Sequence, residues 1–322
     1  MKKILSMVLI TVMIMYLFNG CAQETKKTLK VNQKIKIGVC MADFNDKFWS
    51  YMLDEMKNYS KSLNNVELVC VDAKKDSNVQ LSQVEDLISQ KVDIIVLNPV
   101  DTDAMKSITD KANAAKVPII NFNEPSVNQN DSTCYIGSDQ EQLGTLEMEY
   151  LAKKINFKGN VAIIMGKMGT ESQRLRTEAY HEVIAKYPDI KIVAEQAADY
   201  DRARSMALME NLLESDQEID AVACNSDEMA IGAAMAIESA GKLGKIAVGG
   251  IDATPDALDY LKSGKLAVTV FQDELGLAQC AIETAIKLAN GENVDKTILL
   301  QSELVTPENM DQYIAKWKNK EY

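Results

Sequence analysis

The sequence is poor in the residues that build metal centres and disulfide frameworks. It contains 1 histidine and 6 cysteines among 322 residues, with no CxxC pair and no Cys/His spacing of the kind that holds zinc. The five cysteines other than Cys21 are scattered and lie mostly in apolar, strand-like segments, so we expect buried free thiols. They are Cys40, Cys70, Cys134, Cys224 and Cys280.

Positive charge is also scarce. The chain has 35 Lys and Arg residues against 47 Asp and Glu residues, which gives a net charge of -12. Nucleic acids are bound through a basic surface that neutralises their phosphates. This composition therefore argues against a nucleic-acid partner.

The apolar run near the start of the chain is too short for a comfortable membrane span. It extends from Ile4 to Phe18 after two lysines, as in a secretory signal. We predict a signal peptide over residues 1–20 and a polar tether over residues 21–33. The segment Leu17-Phe-Asn-Gly-Cys21 resembles the lipobox of bacterial lipoproteins, although its leucine stands one position earlier than usual. This resemblance implies an exported protein with a lipid anchor on Cys21; the alternative is an ordinary cleaved signal peptide.

The remaining residues alternate short β-branched runs with helical patterns, which predicts parallel, doubly wound sheets. About 290 residues exceed what one hydrophobic core usually spans, so two domains are expected. Strands are predicted after the first one at 66–71, 94–97, 119–122, 161–165, 190–194, 221–224, 246–248 and 266–270, and helices include 79–91, 103–116, 170–187, 202–214 and 228–240.

A faint internal repeat supports two similar lobes. The segments Val84–Asn98 and Met209–Asn225 share a helix, a turn, a strand and a terminal asparagine, apart from two inserted residues. Asn98 and Asn225 are then expected at equivalent strand ends. A cleft between two such lobes is where a ligand should bind.

The first predicted strand, which begins near Ile35, leads into a polar turn that ends in two adjacent aromatic residues. Loops that leave the carboxyl ends of parallel strands line the ligand crevice. Phe48 and Trp49 would therefore stand at its mouth beside the carboxylate of Asp46, an arrangement suited to a sugar ring. The alternative is that both aromatics are core residues of the helix that runs to Leu63.

From Ile35 to about Leu304 the chain resembles bacterial ABC-transporter solute-binding proteins of the ribose/galactose type, which have the periplasmic-binding-protein-like I fold. Several segments carry the resemblance in the expected order: Asn45-Asp-Lys-Phe-Trp49, Leu97-Asn-Pro-Val-Asp-Thr-Asp-Ala104, Asn123-Glu-Pro-Ser126, Ile136-Gly-Ser-Asp139, Arg176-Thr-Glu-Ala-Tyr180, Asp227-Glu-Met-Ala230, Gly250-Ile-Asp-Ala-Thr-Pro255 and Gly264-Lys-Leu-Ala267.

The resemblance implies two lobes joined by a three-strand hinge with the ligand in the cleft. It places residues 34–138 and 273–300 in the amino-terminal lobe, and residues 139–272 and 301–322 in the carboxy-terminal lobe. The crossovers would lie near Asp139, Gln272 and Gln301.

The family's ligand contacts map onto nine positions. The resemblance implies hydroxyl acceptors and donors, with aromatics for the ring faces, at Asp46, Phe48, Trp49, Asn123, Arg176, Tyr200, Asn225, Asp252 and Gln272. Vicinal hydroxyls both donate and accept, which suits ionised acceptors together with a forked guanidinium donor. The alternatives are ion pairs for Arg176 and Asp252, core-edge packing for Tyr200, and a helix cap for Gln272.

Three departures from the family pattern bear on the ligand. Asn225-Ser226 replaces a pair of asparagines, so one contact is shortened or lost. Glu124 stands where ribose-type proteins have arginine and galactose-type proteins lysine, so a second basic donor is missing. The segment Lys154–Asn160 lacks the carboxylates of the calcium loop of galactose-type proteins, so we predict no metal.

The function implied by the resemblance is capture of a galactose-, glucose- or ribose-like monosaccharide, or of a cyclitol such as inositol, for delivery to a membrane permease. Such a protein needs no cofactor and no catalytic step, and a monomer is expected. An alternative is a sensor that presents its closed form to a chemoreceptor or kinase. A repressor would need a basic DNA-binding segment, and the Gly166-Lys-Met-Gly169 loop lacks the pattern of an enzyme's phosphate loop.

Overall fold

The computed structural model describes residues 34–128, 130–215 and 217–319. The predicted signal peptide, the tether and Cys21 lie outside the described residues. Within the described ranges, no helix has the length and apolarity to cross a membrane.

Strands and helices alternate along the described chain. The strands are β1 (Ile35–Met41), β2 (Val66–Asp72), β3 (Ile94–Leu97), β4 (Ile119–Phe122), β5 (Cys134–Ser138), β6 (Gly159–Met165), β7 (Ile190–Ala197), β8 (Ala221–Cys224), β9 (Ala247–Gly249), β10 (Thr269–Phe271), β11 (Thr297–Leu300) and β12 (Glu303–Val305). The helices are α1 (Lys47–Ser62), α2 (Ser77–Ser89), α3 (Met105–Ala114), α4 (Gln140–Lys154), α5 (Glu171–Ile184), α6 (Arg202–Glu214), α7 (Asp227–Ser239), α8 (Pro255–Lys262), α9 (Glu274–Ala289) and α10 (Met310–Lys318).

The amino-terminal lobe is a six-stranded sheet with helices on both faces. Its strand order is β11-β5-β4-β3-β1-β2, and every pairing is parallel. The residues of β3 and β4 are fully buried, which explains why β3 is continuously apolar and why β4 has a single polar residue, Asn121. Helices α1 and α9 pack on one face, while α2 and α3 pack on the other.

The carboxy-terminal lobe repeats this architecture on a smaller sheet. Its order is β7-β6-β8-β9, again with parallel pairing. Helices α4 and α5 pack on one face, and α6, α7, α8 and α10 pack on the other. Strands β10 and β12 form an antiparallel pair that joins the lobe through bridges from Gly249 to Val268 and from Asp252 to Phe271. The predicted class, two doubly wound parallel lobes, is confirmed.

The chain changes sheets three times. It leaves the six-stranded sheet after β5 and enters α4, which packs against α5 and β9. It returns after β10, and it leaves again between β11, which pairs with β5, and β12, which pairs with β10. These points adjoin Asp139, Gln272 and Gln301.

The main differences from the sequence prediction are the bounds of one strand and three strands that were not predicted, β5, β11 and β12. The strand predicted at 266–270 is observed at Thr269–Phe271, because residues before Thr269 meet the neighbouring sheet only at the isolated bridge of Val268. Strand β5 was not predicted. Its sequence, Cys-Tyr-Ile-Gly-Ser, has a single β-branched residue and gives a weak local signal.

Candidate ligand-binding site

A cavity lies between the two lobes at the carboxyl ends of their strands. The space between its lining atoms is about 450 Å³, part of which is open to solvent. Eight of the nine predicted ligand residues line it, together with four residues that were not predicted as ligand contacts. The lining consists of Asp46, Phe48, Trp49, Asn123, Glu124, Ser172, Arg176, Tyr200, Ser226, Glu228, Asp252 and Gln272.

Asp46 caps the helix that carries the two aromatic residues. Its Oδ1 accepts the backbone N–H of Trp49 at 3.1 Å, which satisfies a helix N-terminus in the usual way. Burial raises the pKa of Asp46 to about 6. Phe48 is buried, and both rings pack against the core of the amino-terminal lobe. Phe48 and Trp49 therefore belong to the core and line the cavity as well.

Arg176 is buried and fixed by two neighbours of its own lobe. Its Nε donates to Gln140 Oε1 at 2.8 Å, and its Nη1 donates to the backbone oxygen of Asn225 at 2.5 Å. No ion pair links it to Asp252 within the described ranges. A guanidinium held in this way presents its remaining N–H groups to the cavity in a preset geometry.

Asp252 and Gln272 form a second fixed pair on the wall. Gln272 Nε2 donates to Asp252 Oδ1 at 2.7 Å, and the pKa of Asp252 is raised well above its usual range by burial and by the nearby carboxylate of Asp227. Gln272 Oε1 is buried without a hydrogen-bond partner in the described part of the chain. Gln272 does not cap the following helix, because Asp273 does so.

The lobes meet directly through Glu124. Its two carboxylate oxygens accept the N–H of Ser172 at 2.9 Å and the hydroxyl of Ser172 at 2.6 Å, and burial raises its pKa. The hydroxyl groups of Ser172 and Tyr200 are 2.9 Å apart. A residue of the amino-terminal lobe is thus bonded to the first turn of α5 in the carboxy-terminal lobe.

Three lining residues have left-handed backbone conformations. The φ angles are +65° for Asn123, +61° for Tyr200 and +126° for Asp252. Such conformations are disfavoured for side chains other than glycine and concentrate at functional sites. The Nδ2 of Asn123 is buried without a partner in the described ranges.

Asn225 departs from expectation, because its side chain does not line the cavity. Its Oδ1 accepts the N–H of Gly166 at 2.9 Å and the hydroxyl of Thr177 at 3.2 Å. Asn98 in the other lobe makes the equivalent contact, since its Oδ1 accepts the N–H of Ala42 at 3.3 Å. Each asparagine side chain thus holds the end of the neighbouring strand, β1 or β6, by a hydrogen bond to its backbone.

Buried acids lie behind the wall of the carboxy-terminal lobe. Glu147 accepts the hydroxyl of Tyr180 and the N–H of Cys224, the latter at 3.0 Å, and burial raises its pKa to about 8. Asp227 accepts the hydroxyl of Thr269 at 2.7 Å, and burial raises its pKa to about 7.

The four additional lining residues illustrate what motif reasoning missed. Ser172 and Glu124 meet only because the lobes approach each other, which no local pattern encodes. Glu228 is ion-paired with Arg202 at 2.7 Å, and Ser226 follows Asn225 directly. In the described residues, no cluster of His, Cys, Asp and Glu suits a metal ion.

Comparisons with known proteins agree with this geometry. Residues 37–293 match the family model described as periplasmic binding protein domain. A solved ABC-transporter solute-binding protein from Bacillus halodurans C-125, with bound myo-inositol, is 43% identical, with a TM-score of 0.86 over 88% of this chain and 98% of that one.

Two further relatives extend the match. A provisionally named rhizopine-binding protein from Rhizobium meliloti is 38% identical over 87% of this chain and 93% of its own length. The ribose import binding protein of Bacillus subtilis is 32% identical over 95% of this chain and 99% of its own. The chain therefore belongs to the periplasmic binding protein family, with the type I fold of its sugar-binding members.

Proposed function

We propose that the chain is the extracytoplasmic solute-binding component of an ABC transporter and that its ligand is a cyclitol of the inositol type or a monosaccharide. The observation that carries this proposal is the cavity itself, in which a fixed guanidinium, buried carboxylates and two aromatic rings converge from both lobes. The relative that holds myo-inositol is also the one with the highest identity among those described above. This similarity favours a cyclitol over an open-chain solute.

The roles follow from the hydrogen-bonding capacity of each group. Arg176 donates to ligand oxygens, and Asp46 Oδ2 accepts a hydroxyl proton, since its other oxygen already has a protein partner. Asp252 Oδ2 bonds a further ligand hydroxyl, since Gln272 occupies Oδ1. Asn123 Nδ2 supplies a further donor and Gln272 Oε1 a further acceptor, because both are otherwise unpaired. Phe48 and Trp49 cover the C–H faces of the ring.

Delivery to a permease requires no catalytic step. The proposal includes a monomer anchored to the cell membrane by lipid on Cys21, with both lobes on the extracytoplasmic side. Substituting Cys21 by Ser should then release the protein from membranes into the soluble fraction. Retention of that variant on washed membranes would contradict the lipid anchor. It would not bear on the proposal for the ligand site.

A thermal-shift screen tests the binding function. The panel contains inositol isomers, hexoses and pentoses, because a ligand at ~100 times its dissociation constant adds about 2.7 kcal/mol to the free energy of unfolding. We expect at least one cyclitol or sugar to raise the melting temperature. An unchanged melting temperature across the whole panel would contradict the proposal.

A further inference from the structure

The contact between Glu124 and Ser172 joins the two lobes at a point away from the chain crossovers. One carboxylate oxygen of Glu124 accepts the N–H of Ser172 at 2.9 Å, and the other bonds its hydroxyl at 2.6 Å. Each of the two residues is only 6% exposed. Hydrogen bonds in such surroundings are electrostatically stronger than bonds at the surface. This contact therefore stabilises the observed arrangement of the lobes.

The two bonds follow from the chemistry of a helix start. The first N–H groups of a helix have no partner within the helix and attract acceptor oxygens. Thr170 caps α5 from its own lobe by accepting the N–H of Gln173, and Glu124 adds a second cap from the opposite lobe. Burial favours the neutral form of Glu124, but a neutral carboxyl still accepts an N–H through one oxygen and bonds a hydroxyl through the other. The contact therefore does not depend on a charge.

Both sides of the contact are fixed before the lobes meet. In the amino-terminal lobe, the N–H of Asn123 donates to the backbone oxygen of Ile136 at 2.8 Å, and the backbone oxygen of Asn123 accepts the hydroxyl of Tyr135 at 3.0 Å. In the carboxy-terminal lobe, the hydroxyl of Ser172 lies 2.9 Å from that of Tyr200. Little side-chain or loop freedom remains to be lost on closure, which favours formation of the contact.

Two weaker bonds join the lobes beside this contact. The hydroxyl of Thr102 donates to the backbone oxygen of Gly169 at 3.3 Å, and Lys167 Nζ donates to that of Val100 at 3.4 Å. All these bonds form between protein groups alone. The lobes therefore have a means of staying together that does not need a ligand.

Helix α5 links the contact to the ligand site. Ser172 and Arg176 are four residues apart on this helix, so they lie on the same face one turn from each other, and both line the cavity. When Glu124 bonds the first turn of α5, the guanidinium of Arg176 is held opposite the wall of the amino-terminal lobe. The contact thus fixes the relative position of the two walls.

We propose that the bonds between Glu124 and Ser172 form an interlobe latch, which keeps most of the protein closed when no ligand is bound. Glu124 is a positioning residue in this role. The inference goes beyond the proposed function, because it concerns the empty protein and does not depend on which ligand the cavity takes. Since a ligand enters only an open cleft, the latch reduces the fraction of molecules that can accept one and slows association by that fraction.

Small-angle X-ray scattering of the unliganded protein tests the latch without any ligand. Glu124→Ala should increase the radius of gyration, because loss of the bonds lowers the ratio of closed to open molecules about tenfold or more. Ser172→Ala keeps the N–H donor and should give a smaller increase. Glu178→Gln is the control, since it removes an exposed carboxylate from the same helix. Equal radii for Glu124→Ala, Glu178→Gln and the unsubstituted protein would overturn the inference.

Binding kinetics separate a latch from a ligand contact. The probe is myo-inositol, followed by stopped-flow tryptophan fluorescence, to which Trp49 in the cavity wall contributes. The latch bonds are the same in the empty and the filled closed forms, so Glu124→Ala should raise both the association and the dissociation rate about tenfold and change the affinity little.

Loss of a ligand contact would instead raise the dissociation rate alone and weaken the affinity. That result, or unchanged rates, would contradict the latch. If myo-inositol does not bind, the scattering comparison alone decides the inference, and the thermal-shift panel decides the proposed function.

Discussion

Asn98 in the amino-terminal lobe and Asn225 in the carboxy-terminal lobe end equivalent strands, β3 and β8. The Oδ1 of each accepts a backbone N–H from the end of the neighbouring strand, Ala42 in one lobe and Gly166 in the other. The two differ in their remaining bonds. Asn98 Nδ2 donates to the backbone oxygen of Phe122 at 3.2 Å, whereas the backbone oxygen of Asn225 accepts from Arg176.

The same structural device therefore serves two purposes. In the amino-terminal lobe the asparagine joins three strand ends and, within the described ranges, makes no hydrogen bond to a residue that lines the cavity. In the carboxy-terminal lobe it joins two strand ends and also positions the guanidinium of the ligand site. The comparison suggests that the carboxy-terminal wall is the more preorganised one, because its Arg176 and Asp252 are both fixed by neighbours, while Asp46 is fixed only as a helix cap.

The largest expected effect is on Arg176. Arg176→Ala should weaken ligand binding about ten- to a hundredfold or more, because hydrogen bonds to a charged group are the strong ones. Arg176→Lys should restore only part of the affinity, since an ammonium lacks the planar fork. Calorimetric titration measures the ligand affinity of both variants. Arg174→Ala is the matched control, because Arg174 lies on the same helix and makes only surface ion pairs; equal losses in Arg174→Ala and Arg176→Ala would contradict the assignment.

Alanine substitutions of the two asparagines test the comparison directly. Asn98→Ala and Asn225→Ala should each lower the free energy of unfolding by about 1–3 kcal/mol, because each leaves a buried backbone N–H without its acceptor. Only Asn225→Ala should also weaken ligand binding, because loss of the bonds from Asn225 Oδ1 to Gly166 and Thr177 loosens the backbone whose oxygen holds Arg176. Urea unfolding and titration of both variants separate the two effects. A similar loss of affinity in Asn98→Ala would remove the distinction between the lobes.

A pH-dependent effect on stability is expected in the carboxy-terminal lobe. The pKa of Glu147 is raised from 4.5 to about 8 in the folded chain, so the native state binds a proton that the unfolded state has released. This contribution to stability is fully present below pH 4.5 and is lost as pH rises through about 8. Between these values Glu147→Gln should remove a slope of about 1.4 kcal/mol per pH unit.

Denaturant unfolding of the unliganded protein at several pH values measures this slope. Glu149→Gln provides the control, because Glu149 lies on the same helix in an exposed ion pair with Lys186. If Glu147→Gln and the unsubstituted chain lose stability in parallel, Glu147 does not hold the proton.

The smallest expected effect is that of metal removal. Since Lys154–Asn160 contains no carboxylate, addition of EDTA should change neither the melting temperature nor the ligand affinity. Melting curves with and without the chelator check this. A large drop in melting temperature or affinity that calcium reverses would show that one lobe contains a metal-binding loop.

The sequence allowed the architecture to be predicted where local patterns are strong. Strands β3 and β8 are continuous buried runs and were located correctly, and helix α6 has the predicted bounds Arg202–Glu214. Strand β5 was missed because its own residues give a weak signal, and its pairing with β4 and with β11, far along the chain, is not visible in a local pattern. In the site, Asp46, Phe48 and Trp49 were predicted from their position after the first strand, and the roles of the other six residues depended on the family resemblance. Glu124 and Ser172 were missed as partners because their contact depends on the distance between lobes.

The strand β11 has a consequence for biosynthesis. It forms the outer edge of the six-stranded sheet beside β5, yet it is synthesised more than a hundred residues after β5, and β12, which completes the other lobe, follows it directly. Until this segment leaves the ribosome or the export channel, β5 is an unprotected sheet edge, which is a known aggregation hazard. Residues 297–305, which contain β11 and β12, therefore complete both lobes at once, and a nascent chain stalled before residue 297 should need a chaperone to stay soluble.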